Sequence, residues 1–259
     1  MSVLDRILER KRAEVAGLER EPGLAALRRA ADGATKARGF GAALRAGAAP
    51  RVIAEFKRAS PSKGLIRGDA DVTAIARAYE EAGAAALSVL TDGEFFQGSL
   101  RDLEAARAAC GIPLLRKDFV IHPIQLYEAR AAGADAVLLI VAALDDGTLG
   151  ELLDGTRALG LDALVEVHTR EELERAMNLG ATVVGINNRD LRSFQTDVAV
   201  TRELLPHTGN ATVVSESGLD DPSLLLALAS EGVDAFLVGE ALMRAVDPGE
   251  ALRWLRGSQ

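Results

Sequence analysis

The side chains best suited to acid–base chemistry in this chain stand at the ends of short apolar runs. Glu55 and Lys57 close "VIAEFK", Lys117 closes "LLRK", Glu166 and His168 close "LVEVH", Asn187 and Arg189 close "GINNR", and Ser215 and Ser217 close "VVSES". A carboxylate can take a proton and an ammonium can give one, so paired glutamates and lysines supply the parts for coupled general-base and general-acid work. Any single pair, Glu55 with Lys57 or Glu166 with Lys117, would also pass as a buried ion pair without chemistry. The joint occurrence is harder to explain that way, because desolvating so many groups costs on the order of several kcal/mol per ion unless a function retains them.

Such groups need rigid elements to bring them together. Past residue 50, apolar runs begin at Arg51, Ala85, Ile112, Asp135, Asp162, Thr182, Ala211 and Asp234, eight in all, with amphipathic stretches such as "DVTAIARAYEEAGA" and "TREELERAMNLGA" between them. The stretches mostly end in glycine, as helix C-termini do. A recurring strand–helix unit of about thirty residues predicts a parallel sheet covered by helices, and eight units are the number that closes a (β/α)8 TIM barrel. A doubly wound open sheet competes, but it would more often carry a glycine-rich dinucleotide turn where this chain has "AEFKRASPSKG". Residues 1–48 form an N-terminal helical extension, an amphipathic helix with Leu4, Ile7 and Leu8 followed by a looser "ADGATKARGFGAA", expected to cap one barrel end. Residues 49–259 form the barrel, and the whole reads as one domain.

Reactive groups of such a barrel sit at the C-terminal ends of its strands. Residues two apart share a face, which groups Ile53, Glu55 and Lys57; Leu115 and Lys117; Leu164 and Glu166; Val183, Gly185 and Asn187; and Val213, Ser215 and Ser217. Strands two and four end in Leu87 and Val89 and in Leu138 and Ile140, which predicts an apolar wall beside the charged one. A ligand with an aromatic or aliphatic part and an anionic part would suit the pocket. Strand seven runs into "SESGL" and strand eight into "LVGEAL", where glycine turns and helix N-termini offer backbone N–H groups to a phosphate. Gly218, Gly239 and the backbone N–H of Glu240 are the expected phosphate site, with the Ser217 hydroxyl beside them and the Glu240 carboxylate turned away.

Composition narrows the classes. A formal net charge of -8 and 4% aromatic residues argue against nucleic acid and anionic membrane as partners. No run offers the ~20 uncharged apolar residues that cross a bilayer, so a cytoplasmic protein is expected. Cys110 is the single cysteine and reads as a small packing residue, leaving no disulfide and no thiolate cluster. Glu166 with His168 could be two metal ligands on one face, but His122 and His207 fall at helix or loop positions, and no metal is expected.

Taken in order and with their separations, "VIAEFKRASPSKG", "LLRKDFVI", "LVEVH", "GINNRDL" and "VSESG" resemble the indole-3-glycerol phosphate synthase family. The resemblance runs nearly the length of the barrel and includes "LDRILERKRAEV" before it. It implies ring closure of 1-(2-carboxyphenylamino)-1-deoxyribulose 5-phosphate with loss of carbon dioxide and water, in tryptophan biosynthesis, with no cofactor. By that resemblance Lys117 is the acid on the departing carbonyl oxygen, its pKa lowered by desolvation, and Glu166 with Lys57 carries the dehydration. Glu55 holds the lysines or shares in proton transfer, and Asn187 and Ser217 complete the catalytic set. Arg189 meets an anionic group, Ser60 and Lys63 close over the carboxylate, and Leu138 packs on the substrate, although "SPSKG" could equally be a mobile lid. The expected partner is a phosphorylated small molecule, bound by a monomer. Two rivals stay open: another sugar-phosphate barrel isomerase or epimerase, and a non-catalytic barrel that binds an anionic metabolite.

Overall fold

The computed structural model of the chain describes residues 2–190 and 193–257; Met1, Leu191, Arg192, Ser258 and Gln259 lie outside the described residues, Leu191 being the last of the "GINNRDL" stretch. Eight parallel strands among the described residues each pair with the next. They are β1 (Arg51–Phe56), β2 (Ala86–Leu90), β3 (Leu114–Lys117), β4 (Ala136–Ile140), β5 (Asp162–Val167), β6 (Val183–Asn187), β7 (Thr212–Glu216) and β8 (Ala235–Val238). β8 returns to β1, so the sheet closes into a (β/α)8 TIM barrel. The strands are almost wholly buried on both faces, which is why they read as continuous Val, Leu and Ile runs. The outer helices start where a short polar side chain can accept a first-turn N–H, as Asp71, Ser99, Asp145, Thr169, Asp221 and Asp247 do.

The register decides which side chains enter the barrel. Partnered residues of parallel neighbours point the same way, and the rows Glu55, Ser88, Leu115, Ala136 and Ile140, Glu166, Gly185, Val214, Ala235 are therefore interior. This corrects two of the expected faces. On β2, Leu87 and Val89 pack outward among the helix-facing residues, while Ala86 is interior and Leu90 reaches the cavity. On β7, Val213 and Ser215 face outward, and Val214 and Glu216 face in. The buried Ser215 hydroxyl instead contacts Thr201 Oγ1 at 2.7 Å and accepts from Asn188 Nδ2 at 3.1 Å.

The extension reaches both ends of the barrel rather than one. Its helices are α1 (Val3–Arg20), α2 (Leu24–Asp32) and α3 (Phe40–Ala43). Val3, Leu4 and Ile7 of α1 border the cavity at the C-terminal mouth. Phe40 and Leu44, both fully buried, join the interior cluster from the opposite end. Two aspartates at the starts of β4 and β5 hold that lower segment: Arg38 N–H donates to Asp135 Oδ1 at 2.6 Å and Gly41 N–H to Asp162 Oδ2 at 2.9 Å. The upper segment is held by Lys11, 2% exposed on the stripe of Ile7 and Val15, whose Nζ lies 2.8 Å from Asp92 Oδ2, 2.9 Å from Asp118 Oδ1 and 2.8 Å from Glu14 Oε2. Asp118 directly follows Lys117, so the latch ties α1 to the chain that carries a candidate catalytic lysine.

Candidate active site

One cavity at the C-terminal mouth collects all thirteen residues expected from the sequence: Glu55, Lys57, Ser60, Lys63, Lys117, Leu138, Glu166, Asn187, Arg189, Ser217, Gly218, Gly239 and Glu240. They come from seven strands and the turns after them, so the closed sheet itself supplies the convergence. Its apolar side is built from Leu90, Leu138, Ile140 and Leu237, with Phe96 and Phe119 stacked at a tilt, centroids 6.2 Å apart.

Lys117 stands at the centre of the polar side. Its Nζ lies 3.8 Å from Glu166 Oε2, 3.9 Å from Glu216 Oε2 and 4.0 Å from Glu55 Oε2. Burial alone would lower the lysine pKa, but the charges of Glu166, Glu216 and Glu55 outweigh it and hold the ammonium above its ordinary value. The expectation of a lowered pKa is thereby corrected: three carboxylates within reach of one ammonium offset more than its desolvation costs. Glu55 also accepts from Lys57 Nζ at 2.6 Å. Burial pushes Glu55 up, yet Lys57 and Lys117 bring its carboxyl below the ordinary value. Lys57 lies one residue beyond β1 and lines the cavity.

Glu216 is the site residue the sequence reading missed. Burial first, then the neighbouring charge of Glu166, drive its carboxyl up to about 8 against the pull of Lys117. Space for it exists because β6 carries Gly185, where any Cβ would collide with the Glu216 carboxylate. Gly239 plays the same part for Glu55, whose carboxylate would meet a Cβ there. At both glycines a Cβ would force the neighbouring carboxylate to move.

The rim is organised by side-chain contacts. Ser217 sits past the end of β7 with φ 68°, a left-handed conformation uncommon outside glycine, and this turns its hydroxyl to donate to Asn187 Oδ1 at 2.9 Å. The same amide oxygen accepts from Arg189 N–H at 3.1 Å. Gly218 follows Ser217, also left-handed at φ 75°, and Gly239 caps the short helix Glu240–Arg244. Glu240 does not turn away as expected. Its carboxylate lies 3.1 Å from Arg244 Nε, 3.5 Å from Lys63 Nζ and 3.9 Å from Arg189 Nη2. Burial pushes its pKa up, but the Arg244 hydrogen bond and the Lys63 charge together bring it below the ordinary value. Around Ser60 and Lys63, residues Ala59–Ser60 pair antiparallel with Gly64–Leu65 as a small hairpin over the cavity.

Histidine positions are separate from this rim. His168 lies behind Glu166, while His122 faces Glu19 at 3.8 Å on the extension. Cys110 is buried at the end of its helix, with Sγ donating to the Ala106 carbonyl at 3.3 Å, a packing position.

Comparison with known proteins bears on this arrangement. A family model described as indole-3-glycerol phosphate synthase matches residues 4–255. An indole-3-glycerol phosphate synthase of Rhizorhabdus wittichii is 52% identical over 256 residues, covering 97% of each chain. One from Roseiflexus sp. is 49% identical over 265 residues, covering 99% of this chain and 98% of the relative. Among solved structures, a thiamine phosphate pyrophosphorylase from Pyrococcus furiosus superposes with TM-score 0.60 at 20% identity, covering 80% of this chain and 94% of that one, a likeness of fold alone.

Proposed function

The chain belongs to the indole-3-glycerol phosphate synthase family, and on that premise we propose how its cavity divides the reaction. The enzyme is a carboxy-lyase of tryptophan biosynthesis that closes the indole ring of 1-(2-carboxyphenylamino)-1-deoxyribulose 5-phosphate with loss of carbon dioxide and water. The observation that carries the assignment of roles is the ring of Glu55, Glu166 and Glu216 around Lys117, set between an apolar wall and a cationic rim.

The phenyl ring packs on the wall of Leu138, Ile140 and Leu237, and the phosphate lies over Gly218, Gly239 and the Glu240 N–H. The carboxylate faces Ser60, Lys63 and Arg189. In the condensation, the ring carbon bearing the carboxylate attacks the sugar ketone while Lys117 gives a proton to the departing carbonyl oxygen. Its ammonium stays protonated until that oxygen becomes basic, which suits a donor held by carboxylates. Loss of carbon dioxide then restores aromaticity without a protein nucleophile. For dehydration, Glu166 takes the ring-carbon proton and Lys57 protonates the leaving hydroxyl, with Glu55 fixing both lysines. Asn187, oriented by Ser217, holds a sugar hydroxyl.

The extension, residues 1–48, and the barrel, residues 49–259, act as one unit in this reading, supported by the Lys11 latch and the buried Phe40. We place the enzyme in the cytoplasm as a monomer; among the described residues no helix is long and apolar enough to cross a membrane. The deciding experiment offers the carboxyphenylamino substrate and follows indole fluorescence with carbon dioxide release. Wild type gives both signals, and Lys117→Ala and Glu166→Gln lose them with circular dichroism unchanged. A wild-type protein that binds the substrate but yields neither signal would be a binding barrel instead.

A further inference from the structure

His168 stands two residues after Glu166, one past the end of β5, and does not border the cavity. Its ring is held from behind by the next helix, Arg170–Asn178. Thr169 caps that helix, and Glu172 in its first turn reaches back so that one carboxylate oxygen accepts His168 N–H at 2.7 Å and lies 3.2 Å from Nδ1. The other ring nitrogen, Nε2, is buried without a hydrogen-bond partner and lies 3.5 Å from Glu166 Oε1. The two oxygens of Glu166 are thus divided, Oε2 toward Lys117 and Oε1 toward His168.

The contact to Glu172 alone would be a helix-terminus bond with no bearing on chemistry. The second carboxylate changes that. A neutral imidazole donates from one nitrogen only, so either tautomer turns a lone pair on one of two carboxylates, whereas the imidazolium can donate to both. We propose that His168 is a positioning residue, an imidazolium clamped between Glu172 and Glu166 that orients the Glu166 carboxylate for proton abstraction. This rests on the reading of Glu166 as the base of the dehydration.

The charges facing the ring agree. Glu166 comes from β5, Glu172 from the following helix and Glu216 from β7, while Lys117 on β3 and Arg175 on the helix act on the glutamates. Burial alone lowers the His168 pKa, but the Glu172 hydrogen bond and the charges of Glu166 and Glu172 raise it above the ordinary value.

The test combines an imidazole titration by NMR with kinetics. The chain has three histidines, so the His168 signals are assigned by their loss in His168→Gln. His168 should titrate above the ordinary histidine value, and Glu166→Gln should lower it. In His168→Gln, kcat should fall on the order of tenfold with KM within about twofold, and the acid limb of the kcat profile should move to higher pH. Glu172→Gln should lower the His168 titration and move the acid limb the same way, which keeps the test open if His168→Gln does not fold. A titration at or below the ordinary value, or a His168→Gln profile matching wild type, overturns the proposal. Full turnover in Glu166→Gln would instead remove the role of Glu166, whereas an inactive Glu166→Gln beside a wild-type His168→Gln profile removes only the role of His168.

Discussion

The Glu216 carboxylate lies 3.9 Å from the Lys117 ammonium through Oε2, while its Oε1 is buried with no hydrogen-bond partner. An acid placed so keeps its proton to higher pH than in the unfolded chain. Its pKa of about 8 against an ordinary 4.5 means that the folded state binds more protons between those values. The contribution to stability is therefore full below about 4.5 and lost as pH rises through about 8. Glu216→Gln should flatten that decline, on the order of a few kcal/mol between the two ends. Urea unfolding of both proteins across this window measures it, and parallel curves would refute the raised pKa.

In the proposed reaction Lys117 and Glu166 serve one substrate, and their charged groups lie 3.8 Å apart, so their losses should not add. Lys117→Ala and Glu166→Gln should each reduce kcat by about 10²–10⁴-fold, and the double variant should be little worse than the poorer single. Multiplicative losses would mean that the two serve independent sites.

Lys11→Met strips the cation from Asp92, which is 0% exposed, while Asp118 keeps Arg116 at 3.2 Å. Uncompensated buried charge should cost about 3 kcal/mol, read by urea denaturation. Because Val3, Leu4 and Ile7 of the same helix border the cavity, KM should rise more than kcat falls. An unchanged KM in a folded variant would detach the latch from substrate binding.

Glu240 engages Lys63 and Arg189, the cations assigned to substrate anions. Glu240→Gln should free them and tighten inhibition by an aromatic carboxylate such as 2-aminobenzoate about two- to fivefold, the scale of a partly exposed ion pair. Weaker inhibition would show that the carboxylate supports the anion site rather than competing with it.

Much of this was legible in the residues themselves. Eight apolar runs at a regular spacing call for a closed parallel barrel, because each run buries both faces and each intervening helix covers one. The polar ends Glu55, Lys117, Glu166 and Asn187 then mark its active mouth. The same double burial hid two faces. On β7 and β2 nothing in "TVVSE" or "ALSVL" separates inside from outside, so Ser215 and Val89 read as inward and Glu216 passed unnoticed. The missed signal was a carboxylate two residues after Val214, whose register partner on β6 is Gly185. Lys11 left a fainter trace, a lysine one turn from Ile7 and one from Val15 on an apolar stripe. Sequence alone determined the architecture and the kinds of groups at its mouth, since local patterning depends on neighbours along the chain. Tertiary structure decided the protonation of Lys117 and Glu216, the partners of Glu240 and the second face of His168, because charge states follow from distances between residues far apart in sequence.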